Sequence, residues 1–283
     1  MTLVVHPHFH LRRTGVTGHV EAMVRAQDAL VETRAIGSGL SESVPRLSWR
    51  ELWRRARREP IVWHAHRNNE LLAGLILRLL GRDVRVVYTR HAAHVPSRYT
   101  RILFRRADQV IALTEEVARA LDVPGTVIGH GVDLERFTPP ADRAEAFRAL
   151  GLGGRHGVGV VGRIRPAKGQ GDVAEAIAPL LPSHPEWRVA FVGQARPADR
   201  AWADKLVRRL GERLTLPGEQ ADVARWYRGL SVLVQPSHSE GYSLVLLEAM
   251  ASGCCVVASR LPHFPALVEH GRTGFLYPPG DVA

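Results

Sequence analysis

Two glutamates and two cations, set among glycines, offer the chemistry in this chain. Glu240 and Glu248 lie in Ser-His-Ser-Glu-Gly-Tyr-Ser-Leu-Val-Leu-Leu-Glu-Ala-Met-Ala-Ser-Gly (237–253), after a strand-like run (231–236) and leading into an apolar helix-like run. A strand, a polar loop with a glycine and a helix N-terminus gather unpaired N–H groups and the positive end of the helix dipole, which together hold an anion. The carboxylates add acceptors for hydroxyl groups. Glu240 falls in the loop and Glu248 more than a turn inside the helix. The pair therefore suits two parts of one polyhydroxylated, phosphorylated ligand, which describes a nucleotide sugar.

The cations are Arg163 and Lys168 in Gly-Arg-Ile-Arg-Pro-Ala-Lys-Gly (162–169), directly after the strand-like Val158-Gly-Val-Val161. Arginine grips phosphate oxygens bidentately and lysine adds a compact charge, so the two would neutralise a departing diphosphate. The segment is not a P-loop, because Lys168 follows Ala167 and precedes Gly-Gln. Gly15-Val-Thr-Gly18 would let backbone pass close to a ligand at a helix N-terminus, although a tight turn alone would explain the glycines. Arg12 and Arg13, just before it, either meet an anionic acceptor or are solvated. Among the 14 histidines, His91 ends a strand and is placed to touch a sugar or an acceptor, with His94 as its rival. His130 sits in the glycine-flanked turn 129–133. His6, His8, His10, His64 and His66 alternate on strands without carboxylate or thiolate company, and read as strand-end or core residues rather than metal ligands.

These residues need a frame, and strand-like and helix-like patterns alternate throughout, which predicts parallel sheets with crossover helices. The first half predicts strands at 3–10, 61–66, 84–89, 109–113 and 126–128, and a loop at 12–18 that opens a helix with apolar positions Val20, Met23, Val24, Leu30 and Val31. The pattern breaks near Thr138-Pro-Pro-Ala-Asp142, so 140–153 is the expected linker between a domain at 1–139 and another at 154–283. The second half predicts strands at 158–161, 187–192, 213–216, 231–234 and 254–258. The fold expected is α/β: two Rossmann-like, doubly wound domains facing a cleft, with the ligand at the carboxyl ends of their strands.

A hydrophobic content of 45% and a charged content of 23% suit a globular protein with a real core. The longest apolar runs are too short to span a bilayer, and the N-terminus lacks a secretory layout. Cys254 and Cys255 are strand neighbours whose side chains diverge, so no structural bridge is expected between them and the expected location is cytoplasmic. A net charge of +10 admits nucleic acid, an anionic membrane or an anionic substrate as partner. Two basic amphipathic stretches, 49–58 and 99–106, suit an anionic lipid surface or a solvated helix face. No nucleic-acid module is visible, and nucleic acid is not an expected partner.

The motifs together resemble the retaining, GT-B-fold glycosyltransferases of family 4, the glycosyl transferases group 1. The resemblance runs along essentially the whole chain and rests on Gly15-Val-Thr-Gly18, His91, His130-Gly-Val-Asp133, the 162–169 segment, the Glu240/Glu248 pair and Gly271-Arg-Thr-Gly-Phe-Leu276. Arg12-Arg-Thr-Gly-Val-Thr17 and Trp63-His-Ala-His-Arg-Asn-Asn-Glu-Leu-Leu-Ala-Gly74 look like bacterial lipopolysaccharide core mannosyltransferases within that family. The resemblance implies GDP-mannose as co-substrate and a Kdo-containing lipid A precursor as the anionic glycolipid acceptor. Arg163 and Lys168 would hold the diphosphate, and Glu248 the ribose. Glu240 with the amides of Gly241, Tyr242 and Ser243 would hold sugar and phosphate. Gly15 to Gly18 would line the phosphate, and His91 would touch the sugar. No metal or other cofactor is expected, because the Arg/Lys pair does the neutralising. Family members usually continue into further C-terminal helices, which are missing here, so a truncated inactive homologue is one alternative. A UDP-sugar donor with another glycan or lipid acceptor is a second, and a GT-B epimerase a third.

Overall fold

The computed structural model describes residues 2–11, 14–92 and 95–283. Contacts divide the chain into two units, Met1–His130 and Gly131–Ala283. Each is built on one parallel sheet of six strands.

In the first unit the chain alternates β1 (Leu3–His8), α1 (Gly15–Asp28), β2 (Thr33–Gly37), α2 (Trp49–Arg55), β3 (Ile61–Ala65), α3 (Asn68–Leu79), β4 (Val84–Arg90), α4 (Arg98–Phe104), β5 (Gln109–Ala112), α5 (Glu115–Ala120) and β6 (Thr126–Val127). The sheet order is β2-β1-β3-β4-β5-β6. Leu3, Val5, Ile61, Trp63, Ala65 and Val86, in register across β1, β3 and β4, bury one apolar face of this sheet. Side-chain oxygens start the shorter helices. Ser48, Ser97 and Thr114 accept from the backbone amides of Glu51, Thr100 and Val117 at 3.2, 3.2 and 3.1 Å.

Several boundaries differ from expectation. β1 stops at His8, where its last pair is Gly37 of β2. α1 ends at Asp28, because the Gln27 carbonyl takes the amides of both Leu30 and Val31 and turns the chain toward β2. Leu30 thus leaves the apolar stripe and is 88% exposed. In α2 only Leu52 and the following Ala56 go into the core, while Trp49 and Trp53 stand out toward solvent.

The second unit runs α6 (Arg143–Arg148), β7 (His156–Val161), α7 (Gln170–Ile177), β8 (Trp187–Val192), α8 (Arg200–Leu210), β9 (Leu214–Thr215), α9 (Ala224–Gly229), β10 (Val232–Gln235), α10 (Leu244–Ala251), β11 (Cys255–Ser259) and β12 (Phe275–Tyr277). The order is β12-β11-β10-β7-β8-β9, all parallel. The segment 140–153, expected as a linker, is held in this unit. Asp142 caps α6, Phe147 is buried, and the Arg143 guanidinium donates to the carbonyls of Tyr227, Leu230 and Ser252 at 3.1, 2.6 and 2.9 Å. The prolines at 139 and 140 break the preceding pattern, but a capping aspartate followed by an aromatic that needs burial restarts a helix. Cys254 is buried and Cys255 exposed, and both are free thiols.

One contact fixes how α3 lies on β3. The Trp63 indole is fully buried and its Nε1 donates to the Glu70 carbonyl at 2.8 Å. Gly74, one turn further along α3, lies so close that a Cβ there would clash with Cδ1 of that indole. Gly74→Ala is expected to destabilise the protein by about 1–3 kcal/mol, the usual cost of overpacking. Urea unfolding measures this, and an unchanged midpoint would contradict the packing described.

Candidate active site

In a doubly wound sheet, ligands bind at the carboxyl ends of the strands where the order reverses. In the second unit that point lies between β7 and β10, and the segments leaving these two strands carry Arg163, Lys168 and Glu240. Lys168 Nζ pairs with Glu240 Oε1. The same oxygen also accepts from Gln235 Nε2 at 2.8 Å and Ser237 Oγ at 2.7 Å. Ser237 is fixed in turn, since Ser259 Oγ of β11 donates to its carbonyl at 2.6 Å.

Gly169 makes this convergence possible. Its φ is +70°, and a Cβ there would run into the Pro236 carbonyl. A glycine is needed both for the left-handed backbone and for the approach of the two loops. Arg163 is half-buried just after β7, and its carbonyl accepts from Gln170 Nε2 at 3.0 Å. That fully buried glutamine anchors the loop from beneath.

Glu248 sits apart from this cluster. Its Oε2 accepts from the Tyr227 hydroxyl at 2.8 Å. Burial pushes its pKa up to about 7, against the lowering effects of the Tyr227 hydrogen bond and of Arg136. Glu240 and Glu248 thus occupy unlike surroundings, one beside a cation and the other beside a phenol.

Between them lies the start of α10. Ser243, its N-cap, has φ +79° and ψ +83°, the one positive φ at a non-glycine among the described residues. Its buried hydroxyl has no hydrogen-bond partner. Strain of this kind collects where a ligand is held. Gly241 and Tyr242 lie in the loop just before this cap, and the Tyr242 ring faces His263 at 6.4 Å with planes 15° apart.

In the first unit the corresponding reversal is between β1 and β3. Gly15 and Gly18 lie in the first turns of α1 with neither glycine in the left-handed region, and a Cβ on either would meet nothing. A tight turn therefore does not account for them. Thr14 caps the helix, its amide donating to Thr17 Oγ1 at 3.0 Å. Arg67 Nη2 reaches Thr14 Oγ1 at 3.0 Å, and the buried Glu70 takes Arg67 Nη1 at 3.2 Å and the His66 amide at 3.0 Å. Arg12, Arg13 and His94 lie outside the described residues.

His91 follows β4 directly and is not isolated. Its Nε2 lies 3.0 Å from His66 Nδ1, and His66 Nε2 lies 3.0 Å from His6 Nδ1. His6 Nε2 donates to Gln27 Oε1 at 2.7 Å, and His64 Nε2 meets Thr89 Oγ1 at 2.7 Å. The His19 ring lies 5.4, 5.2 and 4.2 Å from those of His66, His91 and His130. Burial holds these imidazoles neutral. His6 and His130 fall to about 4 and His19 to about 3, while His64, His66 and His91 lie well below the ordinary value. Of the strand histidines expected as core or strand-end residues, His6, His64 and His66 are buried and joined in one group with His91, while His8 bonds the Ser38 carbonyl and Thr17 Oγ1.

The residue types alone did not single out Gln235, Ser237, Tyr227, Asp172 or His19. Gln235 and Ser237 stood in a polar stretch after an apolar strand, a signal that could have found them. His238 Nε2 pairs with Asp172 Oδ2 at 2.7 Å, linking the 236–243 loop to α7. Tyr227 and His19 stand in helices where nothing in the spacing marks them.

The two six-stranded parallel sheets with their flanking helices are those of GT-B glycosyltransferases. Residues 155–283 match the glycosyl transferases group 1 and residues 10–136 match glycosyltransferase family 4. The chain is 40% identical over 289 residues to the lipopolysaccharide core biosynthesis mannosyltransferase LpcC of Rhizobium leguminosarum bv. viciae, covering 98% of this chain and 82% of that one. It is 38% identical to the lipopolysaccharide core biosynthesis mannosyltransferase LpsB of Rhizobium meliloti, over 99% of this chain and 84% of the relative. Among solved structures it resembles HepE of Anabaena in complex with UDP and glucose, with a TM-score of 0.79 at 20% identity, covering 99% of this chain and 86% of that one. The chain belongs to the group 1, family 4 glycosyltransferases.

The buried imidazoles set an acid limit on stability. Their folded pKa values are depressed, so the unfolded chain binds more protons below about 6.5. Stability is complete above that pH and is lost as pH falls toward about 4, the value for His6 and His130. The melting temperature is expected to drop steeply between pH 6.5 and 4.5, and less steeply in His6→Gln. Parallel slopes for variant and wild type would refute this origin.

Proposed function

We propose that this glycosyltransferase moves mannose from GDP-mannose, with retention of anomeric configuration, onto a Kdo-containing lipid A-type glycolipid of the lipopolysaccharide core. The observation that carries the reading is the Lys168–Glu240 cluster at the β7/β10 reversal, in a chain 40% identical to a core mannosyltransferase. Arg163 and Lys168 take the donor diphosphate and stabilise it as it leaves. Glu240, held by Gln235 and Ser237, accepts from sugar hydroxyls. Glu248 accepts from the ribose, whose hydroxyls draw it to the carboxylate form. The amides of Gly241, Tyr242 and Ser243 and the Gly15–Gly18 turn line the phosphates, and His91 touches the sugar. Arg12 and Arg13 serve the anionic acceptor.

In the transfer step the bond from the anomeric carbon to the diphosphate oxygen breaks. The acceptor oxygen bonds to that carbon on the same face, and the acceptor proton passes to the diphosphate. Glu240 orients and stabilises rather than forming a covalent intermediate. The two cations supply the neutralisation, so the leaving group needs no metal.

A glycolipid acceptor calls for work at a membrane surface on its cytoplasmic side, and two helices suit it. No helix among the described residues is long and apolar enough to cross a membrane. On α2, Trp49 and Trp53 are exposed beside Arg50, Arg54 and the following Arg57 and Arg58. On α4, Tyr99 and Ile102 are 51% and 52% exposed. Arg55 is not available to lipid, since it is tied to Glu32 and Glu59.

Transfer of labelled sugar from GDP-mannose and UDP-glucose to Kdo-lipid A tests the reading. Wild type is expected to use GDP-mannose. Lys168→Ala and Glu240→Gln should each lower kcat/KM by about a hundredfold or more, the scale of losing one preorganised charge contact. Failure to bind any nucleotide sugar sinks the transferase reading, and preference for UDP-glucose sinks the donor assignment.

The membrane role has its own test, sedimentation with phosphatidylglycerol liposomes. Binding is expected at low salt, and should be lost at about 0.5 M salt and in Arg54→Glu/Arg58→Glu. No binding at low salt refutes it.

A further inference from the structure

Three of the histidines in the first unit do more than share hydrogen bonds. The ring centroids of His19, His66 and His91 form a nearly equilateral triangle with sides of 5.4, 5.2 and 5.3 Å. Imidazoles bound tetrahedrally to one ion have centroids about 5 Å apart, given zinc–nitrogen bonds of about 2.0–2.1 Å and about 1.1 Å from nitrogen to centroid. One ring nitrogen from each of the three lies within 4.8 Å of the others. His66 Nδ1 and His91 Nε2 already face each other at 3.0 Å, slightly closer than two nitrogens on one tetrahedral ion. His19 is buried on the same side of the cluster.

We propose that His19, His66 and His91 form a binding site for one divalent transition-metal ion of the zinc class. The site draws on α1 and on the residues just beyond β3 and β4, so an ion there would fasten the start of α1 to the carboxyl edge of the sheet. Its outer shell is present. His66 Nε2 keeps its proton and donates to His6 Nδ1 at 3.0 Å, and His6 Nε2 donates to Gln27 Oε1 at 2.7 Å. Since an amide oxygen only accepts, this chain fixes the His66 tautomer with the Nδ1 lone pair directed at the site. The His130 ring lies beside the trio, 4.2 Å from His19 and 5.2 Å from His91. An all-imidazole donor set suits zinc, cobalt, nickel or copper rather than magnesium or calcium, which require oxygen.

A second trio, His6, His64 and His66, also brings its nitrogens within 4.8 Å. There, however, both ring nitrogens of His6 are taken, Nδ1 by His66 Nε2 at 3.0 Å and Nε2 by Gln27 Oε1 at 2.7 Å, and His64 Nε2 is occupied by Thr89. The first trio is therefore the site.

The proposal does not rest on the glycosyltransferase reading, and its test needs no substrate. The full chain, stripped with a chelator, is titrated with Zn2+ by calorimetry and with Co2+ by visible absorption. One ion is expected, with the intense d–d bands of tetrahedral cobalt, while Mg2+ gives no signal. His19→Ser and His66→Gln should each weaken binding by at least tenfold, about the scale of disturbing a metal's supporting residues. His64→Gln should leave it unchanged. Melting curves of the metal-free variants verify folding, and His19→Ser, at the edge of the cluster, decides the matter if His66→Gln does not fold. The proposal is overturned by no binding below about 0.1 mM, by binding indifferent to His19→Ser, or by binding lost in His64→Gln.

Discussion

The second unit depends on the meeting of two loops at the β7/β10 reversal. One segment carries Lys168 and Gly169, the other Pro236 and Glu240. They approach closely enough for ion pairing because Gly169 has no side chain to hold Pro236 away. Gln235 and Ser237 then direct hydrogen bonds at the Glu240 carboxylate. The carboxylate keeps two neutral donors even when Lys168 turns to an anion. In the proposed reading the lysine turns to the donor phosphates while the glutamate, held by Gln235 and Ser237, remains the fixed acceptor.

The two glutamates seven residues apart in sequence are set by surroundings rather than by residue type. The Glu240 carboxylate has an ammonium group and two neutral donors beside it. The Glu248 carboxyl, buried against a tyrosine hydroxyl, has its pKa raised to about 7. A ligand that presents hydroxyls to Glu248 replaces lost hydration and draws it back to the charged form. In the proposed reading, diphosphate neutralisation and hydroxyl recognition fall on different residues, and the short helix α10 with its strained cap keeps them apart.

Much of this was legible in the chain. Alternating apolar strands and helices gave both parallel sheets, because covered strands must be apolar on both faces. Residues at the carboxyl ends of strands could be placed at the reversal point from order alone. What was not legible depended on packing. Leu30 matched a helical stripe but was cut off by the Gln27 turn. Residues 140–153 followed a proline break but were recovered by Phe147. Tyr227 reaches Glu248 only through tertiary structure, and Arg55, one arginine of a basic run, is spent on Glu32 and Glu59.

The histidines show the limit most clearly. In sequence, His6, His64 and His66 are an alternation on two strands, which a buried sheet explains without any ligand. His19 belongs to a helix and His91 to the end of another strand. Neighbouring registers of β1 and β3 bring the first three to one face, since Val5 pairs with Trp63 and the next residues on each strand are His6 and His64. The carboxyl edge then adds His91, and α1, crossing that edge, adds His19. Six buried imidazoles are costly to charge, and hydrogen bonds partner His6, His64, His66 and His91. The two units thus meet the same problem of polar groups at a sheet edge in opposite ways. One places paired charges there that an anion can reopen, and the other places neutral rings that accept a proton only at acid pH.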